Sequence, residues 1–450
     1  MSRSIHLICN AHLDPVWLWE WEEGAAAAIS TFRTAADLCE EYGAFIFNHN
    51  EVILYQWVEA YEPALFARIQ RLVKEGRWHI MSGWYLQPDC NMPSGESFVR
   101  QILLGRSYFA EKFGARPTTA INFDPFGHTR GPVQIMARSG FDSYIFCRPG
   151  EEDIHLPQGA FTWEGYDGSR VMAVRPFGHY LSPLGRVNEK VESYRKTCPE
   201  ETPGILLWGV GNHGGGPSRA DIQILDRLIA ENNQERLCHS TPEAYFAEVR
   251  DLGQKLPVHK GDINAWAVGC YTSMALSKYK HRLLENELYA TEKMVTAAWA
   301  QNRITYPGEA LQEAMRTLAT AEFHDILPGS SIQPVEEMAL RLMNHGLELL
   351  SRAKAQAFFA LAEGQPAARE NEIPILVYNP HPYPVEAVVE CEFQLADQNW
   401  AGDFTNAVAY QGGQDLPTQV EQEASSLNLD WRKKVAFRAK LAPGQMNRFD

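Results

Sequence analysis

A chain of 450 residues with 45% hydrophobic and 22% charged positions is long enough for two or three packed domains. Its formal net charge of −15 argues against nucleic acid or an anionic membrane as the main partner, because both attract basic patches. No apolar run is long enough to cross a bilayer, the first residues enter a strand without a signal-type segment, and the eight cysteines are scattered without a CxxC pair, so a cytoplasmic protein is expected.

The first predicted strand, His6–Cys9, leads straight into His12 and Asp14, and Pro15 then ends it. Residues two apart on a strand share a face, so an imidazole and a carboxylate leave this strand side by side, as half of a metal site would. Further strands are predicted at Ala44–Asn48, Trp78–Trp84, Thr119–Phe123, Ser143–Cys147, Val171–Val174 and Ile205–Val210. Between them, Glu62–Glu75, Ser97–Phe113 and Arg219–Asn232 carry apolar residues three and four apart and read as helices. This alternation predicts an α/β catalytic domain over 1–265, built as a parallel sheet or barrel. Chemistry in such folds collects at the carboxyl ends of the strands. There lie His12 and Asp14, Trp84 to Asp89, Asp124 in INFDPFGH, Arg148, and the glycine-rich loop Gly209–Pro217.

Residues 266–368 read as a three-helix bundle, with long apolar periodicity over Ser273–Asn302, Glu309–His324 and Val335–Ala362. The second of these ends in His324–Asp325, another pair of metal-ligand type. Over 369–450 the turn NPHPYP and the alternating VEAVVECEFQL read as the start of an all-β domain, either small or the beginning of something longer. Cys90 and His128, close to these motifs, read as structural.

Laid out in this order, the chain resembles glycoside hydrolase family 38, the retaining zinc-dependent α-mannosidases. The matching segments are NAHLDPVW, the GW–PD–N–GES pattern from Gly83 to Ser97, INFDPFGH, Arg148, GCYTS at Gly269–Ser273 and FHDILPGSS. The resemblance implies a (β/α)7-type barrel followed by the helical bundle and the β-domain. It implies one zinc held by His12, Asp14, Asp124 and His324, with Asp124 also the nucleophile. Terminal α-D-mannosyl residues would be cleaved with retention, and the partner would be an α-mannoside or oligosaccharide. Zinc accepts such a mixed His/Asp set and keeps room for sugar hydroxyls. Trp17, Trp84, Arg148 and Asp325 would meet substrate. The alternatives are a hydrophobic anchor for the following helix at Trp17, a structural ion pair at Arg148, and a group orienting a ligand at Asp325.

One departure stands out. Many family members carry an aspartate before the loop glycines as general acid/base, but here the loop reads GVGNHGGGPS, with Asn212 in that place. Asn cannot deliver a proton. His213 can, and Asp89 or Glu164 are alternatives, as is a weakened enzyme. Two rival functions remain: a metal-dependent carbohydrate deacetylase, which would want an HxxxH pair absent from this chain, and a non-catalytic sugar-binding protein. Oligomeric state is open, a homo-oligomer included.

Overall fold

The computed structural model describes residues 4–450 apart from 199–201, 212–214, 232–234, 265 and 401–403. It divides into two compact units, one made of Met1–Glu285 and Met315–Gly346, the other of Asn286–Ala314 and Leu347–Asp450.

Ten strands among the described residues belong to the first unit. They are β1 (Ser4–Asn10), β2 (Phe47–His49), β3 (Trp78–Ile80), β4 (Thr119–Asn122), β5 (Ser143–Phe146), β6 (Phe161–Glu164), β7 (Arg170–Val174), β8 (Gly204–Trp208), β9 (Arg236–His239) and β10 (Val258–His259). Every residue of β1 is buried, as befits a parallel strand covered on both faces. On one side it pairs with β8; on the other its first half pairs with β9 and its last two residues with β2, which continues to β3. The remaining strands make a second sheet in the order β10-β6-β7-β5-β4, with β6 antiparallel to β7.

The α/β class expected of this region is present. Among the described residues the strands form two five-stranded sheets, and no ladder joins them. An apolar core bridges the gap instead: Ile8 of β1, Ile121 of β4, Ile145 of β5, Val174 of β7, and Ile205 and Leu207 of β8 pack in one cluster. The β6–β7 hairpin, turning at Asp167–Gly168, interrupts the strand–helix alternation on which a barrel reading rests.

Helices cover these sheets at Trp21–Glu41, Val52–Tyr61, Pro63–Lys74, Gly95–Phe113, Pro132–Arg138, Val187–Thr197, Arg219–Glu231 and Pro242–Asp251. The helix Gly95–Phe113 starts where the Ser94 hydroxyl accepts from Ser97 N, and ends at Gly114 in the left-handed region (φ 66°). Three long helices follow at Ala275–Ala300, Gly308–Ala321 and Gln333–Ala362. In the second unit, the strands Val385–Asn399 and Asp430–Leu441 pair antiparallel, and the strand Thr418–Glu421 adds to the latter. Val435, Phe437, Ala439 and Leu441 face a small apolar core that Phe449 completes.

Candidate metal centre and active site

The carboxyl ends of β1 and β4 deliver the chemistry. His12 and Asp14 follow β1, Asp124 follows β4, and His324 arrives from the turn after the helix Gly308–Ala321. That turn clasps the segment after β3: Asp89 N donates to Glu322 O (2.8 Å), and His324 N donates to Gln87 O (3.3 Å). All four side chains are buried, with Asp124 the most open at 9%.

Their ligand atoms converge. His12 Nε2 lies 3.0 Å from Asp14 Oδ1 and 3.7 Å from Asp124 Oδ2, and His324 Nε2 lies 3.4 Å from Asp14 Oδ1. Yet among the described residues His12 Nε2, His324 Nε2 and Asp14 Oδ1 have no hydrogen-bond partner. Buried polar atoms left unpaired are costly, and three facing one another are what a cation would satisfy. The chemistry of the set agrees, since imidazole nitrogens with carboxylates suit a divalent metal. His324 Nδ1 donates to Gln87 O (3.1 Å), which leaves its Nε2 for the ion.

Electrostatics alone would otherwise load the site with protons. Burial pulls His324 down, but Asp14, Asp325 and Asp124 outweigh it and raise its pKa to about 10. Burial likewise opposes charge on His12 and Asp14; their mutual attraction wins, raising the imidazole and lowering the carboxyl. Such a pocket prefers positive charge, supplied by protons or by a metal.

A second buried group, His281, Glu285 and Glu322, has a similar composition and a different character. Glu285 accepts from Ser94 N and Ser97 Oγ and pairs with Arg282. Glu322 accepts from Gln101 Nε2 (3.0 Å) and faces His281 at 3.3 Å. These are satisfied hydrogen bonds that hold helices together, in contrast to the unpaired atoms above.

Around Asp124 the support is dense. Arg148 Nε pairs with Asp124 Oδ1 at 2.7 Å, and the Tyr180 hydroxyl donates to Oδ2 at 3.3 Å. The guanidinium of Arg148 also lies over the Trp266 ring, 5.1 Å from its centroid. Asp325 is buried beside His324, its carboxylate taking the Ser330 hydroxyl and its pKa pushed by burial up to about 7. Trp17 is half-buried, edge-on to Trp19, with ring surface left to meet a ligand.

Three sequence expectations change. Trp84 does not line the site: its ring is 1% exposed, packed in a core cluster with Phe98 and Phe141, because the strand ends at Ile80 and the chain dives inward. Glu164 is clamped by Arg170 and Lys260, each at 2.7 Å, and these bonds hold its carboxyl below the usual range, so it does not supply a proton. Asp89 is fully buried, and its Oδ1 is taken by Asn91 N and Met92 N. Asn212 and His213 lie outside the described residues.

Sequence reasoning missed Tyr180, which lies six positions past β7 where no titratable motif marks it. It also missed Gln87 and Glu51. The Gln87 amide donates to Glu51 Oε1 (2.6 Å), accepts from Phe123 N (2.7 Å) and lies 3.5 Å from His12 Nδ1. Burial pushes the Glu51 carboxyl up to about 7, and its backbone sits at φ 75°, a conformation rare outside glycine. That strain was the one signal available, and it is not visible in sequence.

Comparison with known proteins agrees with this geometry. Residues 2–267 match the glycosyl hydrolases family 38 N-terminal domain, and residues 265–361 match the alpha mannosidase middle domain. The chain belongs to glycoside hydrolase family 38. Among family 38 relatives, human alpha-mannosidase 2C1 is 31% identical over 374 residues, covering 81% of this chain and 36% of that protein. Alpha-mannosidase G of Dictyostelium discoideum is 31% identical over 344 residues, covering 74% of this chain and 31% of its own length. The chain thus spans about a third of the length of these curated relatives. In fold it resembles the crystal structure of an alpha-mannosidase from Enterococcus faecalis V583, with a TM-score of 0.79, 16% identity, and coverage of 99% of this chain and 56% of that one. No helix among the described residues is long and apolar enough to cross a membrane.

Proposed function

We propose that this family 38 chain carries the catalytic site of a retaining glycosidase that releases terminal α-D-mannosyl residues from oligosaccharides or small mannosides. The observation that carries the reading is the cluster of His12, Asp14 and His324, three buried ligand atoms of which have no hydrogen-bond partner among the described residues, with Asp124 3.7 Å from His12. These four residues would hold one zinc, which when bound orients vicinal sugar hydroxyls, cis in mannose, and stabilises charge developing on the ring.

Asp124 is the nucleophile of this proposal. Arg148 and Tyr180 grip its two oxygens from opposite partners and hold the carboxylate in one orientation for attack on the anomeric carbon. Asp325 accepts a sugar hydroxyl, Arg148 donates to one, and Trp17 offers a stacking face. The proton for the departing oxygen comes from His213. Support for that choice is the engagement of its competitors, Glu164 by two cations and Asp89 by its own turn. A (β/α)7-type arrangement of the two sheets, and the β-domain that follows, belong to this proposal too. Eight free cysteines, four of them buried, support a reducing compartment such as the cytoplasm.

The test is hydrolysis of an aryl α-mannoside by zinc-loaded protein, with the anomer of the first product read by NMR. We expect release of α-mannose. A deacetylase or a sugar-binding protein would leave the glycoside intact, and β-mannose as first product would reduce Asp124 to a ligand. Asp14→Ala and His324→Ala should lose bound zinc and activity together. Full zinc occupancy in either variant, measured by elemental analysis, would contradict the metal assignment.

A further inference from the structure

Lys190 stands in the first half of the helix Val187–Thr197, half-buried, and it has an unusual set of partners. Its ammonium donates to three backbone carbonyls: His179 O at 2.8 Å, Leu181 O at 2.8 Å and Leu207 O at 2.7 Å. An ammonium has three protons and nothing more to give, so every donor is spent. No carboxylate pairs with it among the described residues. Burying an unpaired cation is expensive, and burial indeed pulls its pKa down to about 7. A cation kept there against that cost gathers carbonyls that would otherwise splay apart.

The gathered segment is the one that touches Asp124. Between the two bonded carbonyls sits Tyr180, whose hydroxyl reaches Asp124 and whose ring packs 4.6 Å from that of His12. Just before it, His179 accepts from Arg148 Nε at 3.3 Å, the same nitrogen that pairs with Asp124. His179 adopts φ 66°, a strained conformation that needs outside support. The remaining ties run inward: Asn10 Nδ2 donates to Tyr180 O (3.0 Å), and Ser182 N donates to Gly209 O (2.8 Å). Four successive residues are pinned, two of them by Lys190. A Cβ at Gly178 would stand 3.1 Å from the Lys190 Cε, so the chain also leaves room for the side chain to pass.

We infer that Lys190 is a positioning residue for glycoside cleavage, which acts through Tyr180 by holding the 179–182 segment against Asp124. It touches neither substrate nor metal. The inference rests on the α-mannosidase reading for its kinetic half only.

Lys190→Met removes the three donors while keeping the side chain unbranched and only one atom shorter. In zinc-loaded protein we expect kcat on an aryl α-mannoside to fall by about ten- to a hundredfold with KM little changed, since a small misplacement of a catalytic group has that effect. Tyr180→Phe should lose a similar factor, and the double variant should be no worse than the poorer single, because both changes break one chain of support. Hydrogen exchange should speed up across 179–182 in Lys190→Met. Lys190→Gln, which keeps two donors, should fold in any case and fall between. A folded Lys190→Met or Lys190→Gln with wild-type kcat, losses that multiply in the double variant, or unchanged exchange at 179–182 would each overturn the inference. Wild-type protein that cleaves no α-mannoside would overturn the α-mannosidase reading instead, and the exchange measurement would still judge Lys190.

Discussion

At the scale of single residues, the sharpest question is who delivers the proton. His213 stands next to the Asn that replaces the family aspartate, and its unperturbed pKa of about 6.5 suits acid/base work near neutrality. His213→Ala should cripple cleavage of mannosides whose leaving group is another sugar, because that alkoxide cannot depart unprotonated. A mannoside of an acidic phenol should lose far less, since its leaving group departs with little help. The alkaline limb of the pH profile should disappear as well, because that limb reports loss of the imidazolium. Equal losses on both substrates with an intact alkaline limb would assign the proton to another group. The contrast with Glu164 is instructive. As a carboxylate near the motifs it looked eligible, but Arg170 and Lys260 hold it ionised, and only spatial partners reveal that.

At the scale of elements, the strand ends were legible and the links between them were not. HLICNAHLD announces a buried strand that ends in two ligands, because an apolar run followed by His-x-Asp and Pro has a definite geometry. Asp124 and Arg148 were read for the same reason. Trp84 was misread because the strand proved three residues long and its continuation turns into the core. The β6–β7 hairpin escaped notice because β6 is only four residues and lies between turns, where periodicity says little. Tyr180 and Gln87 carry no chemical signature until the fold brings them to Asp124 and His12. Packing of elements also bears on the metal. The helix Trp21–Glu41 crosses so close to Pro15, the residue after Asp14, that a Cβ on Gly24 would lie 2.0 Å from the Pro15 carbonyl oxygen. Gly24→Ala must push the helix off that turn. Denaturation should show a loss of about 1–3 kcal/mol, the usual cost of overpacking, and chelator competition should show weaker zinc binding. Gly43→Ala has open space around it and should change neither by a measurable amount. Unchanged zinc affinity in Gly24→Ala would mean that the His12–Asp14 turn does not depend on this helix.

At the scale of the whole molecule, acid should act in two opposing ways. The chain carries a net charge of −15 at pH 7, so protonation toward its isoelectric point relieves self-repulsion. Its buried histidines work against this. Burial lowers the pKa of His6, His239 and His128, the last to about 4. His128 has both ring nitrogens committed, to the Tyr144 hydroxyl and to the Arg148 carbonyl, each at 2.8 Å, so a second proton has no acceptor waiting. Its neighbours Tyr144 and Cys90 remain neutral throughout, since burial pushes both well above their ordinary values. The sign follows from linkage. Above pH 6.5 the imidazole is neutral folded and unfolded, and contributes nothing. As pH falls through 6.5 the unfolded chain takes up a proton that the folded state refuses, and stability declines until pH approaches 4. A displacement of that size corresponds to about 3 kcal/mol for His128 alone. Urea unfolding in the presence of chelator, from pH 7.5 to pH 4.5, isolates this contribution when wild type is compared with His128→Gln. The variant should be weaker at pH 7.5, having lost hydrogen bonds that anchor the backbone of Arg148, yet its stability should fall less steeply with acid. Parallel slopes would mean that His128 accepts its proton in the folded state. The carbonyl of Arg148 would then be held by an imidazolium, and the acid sensitivity of the fold would have to come from other groups, among them His49 and His179, which burial lowers to about 3 and about 4.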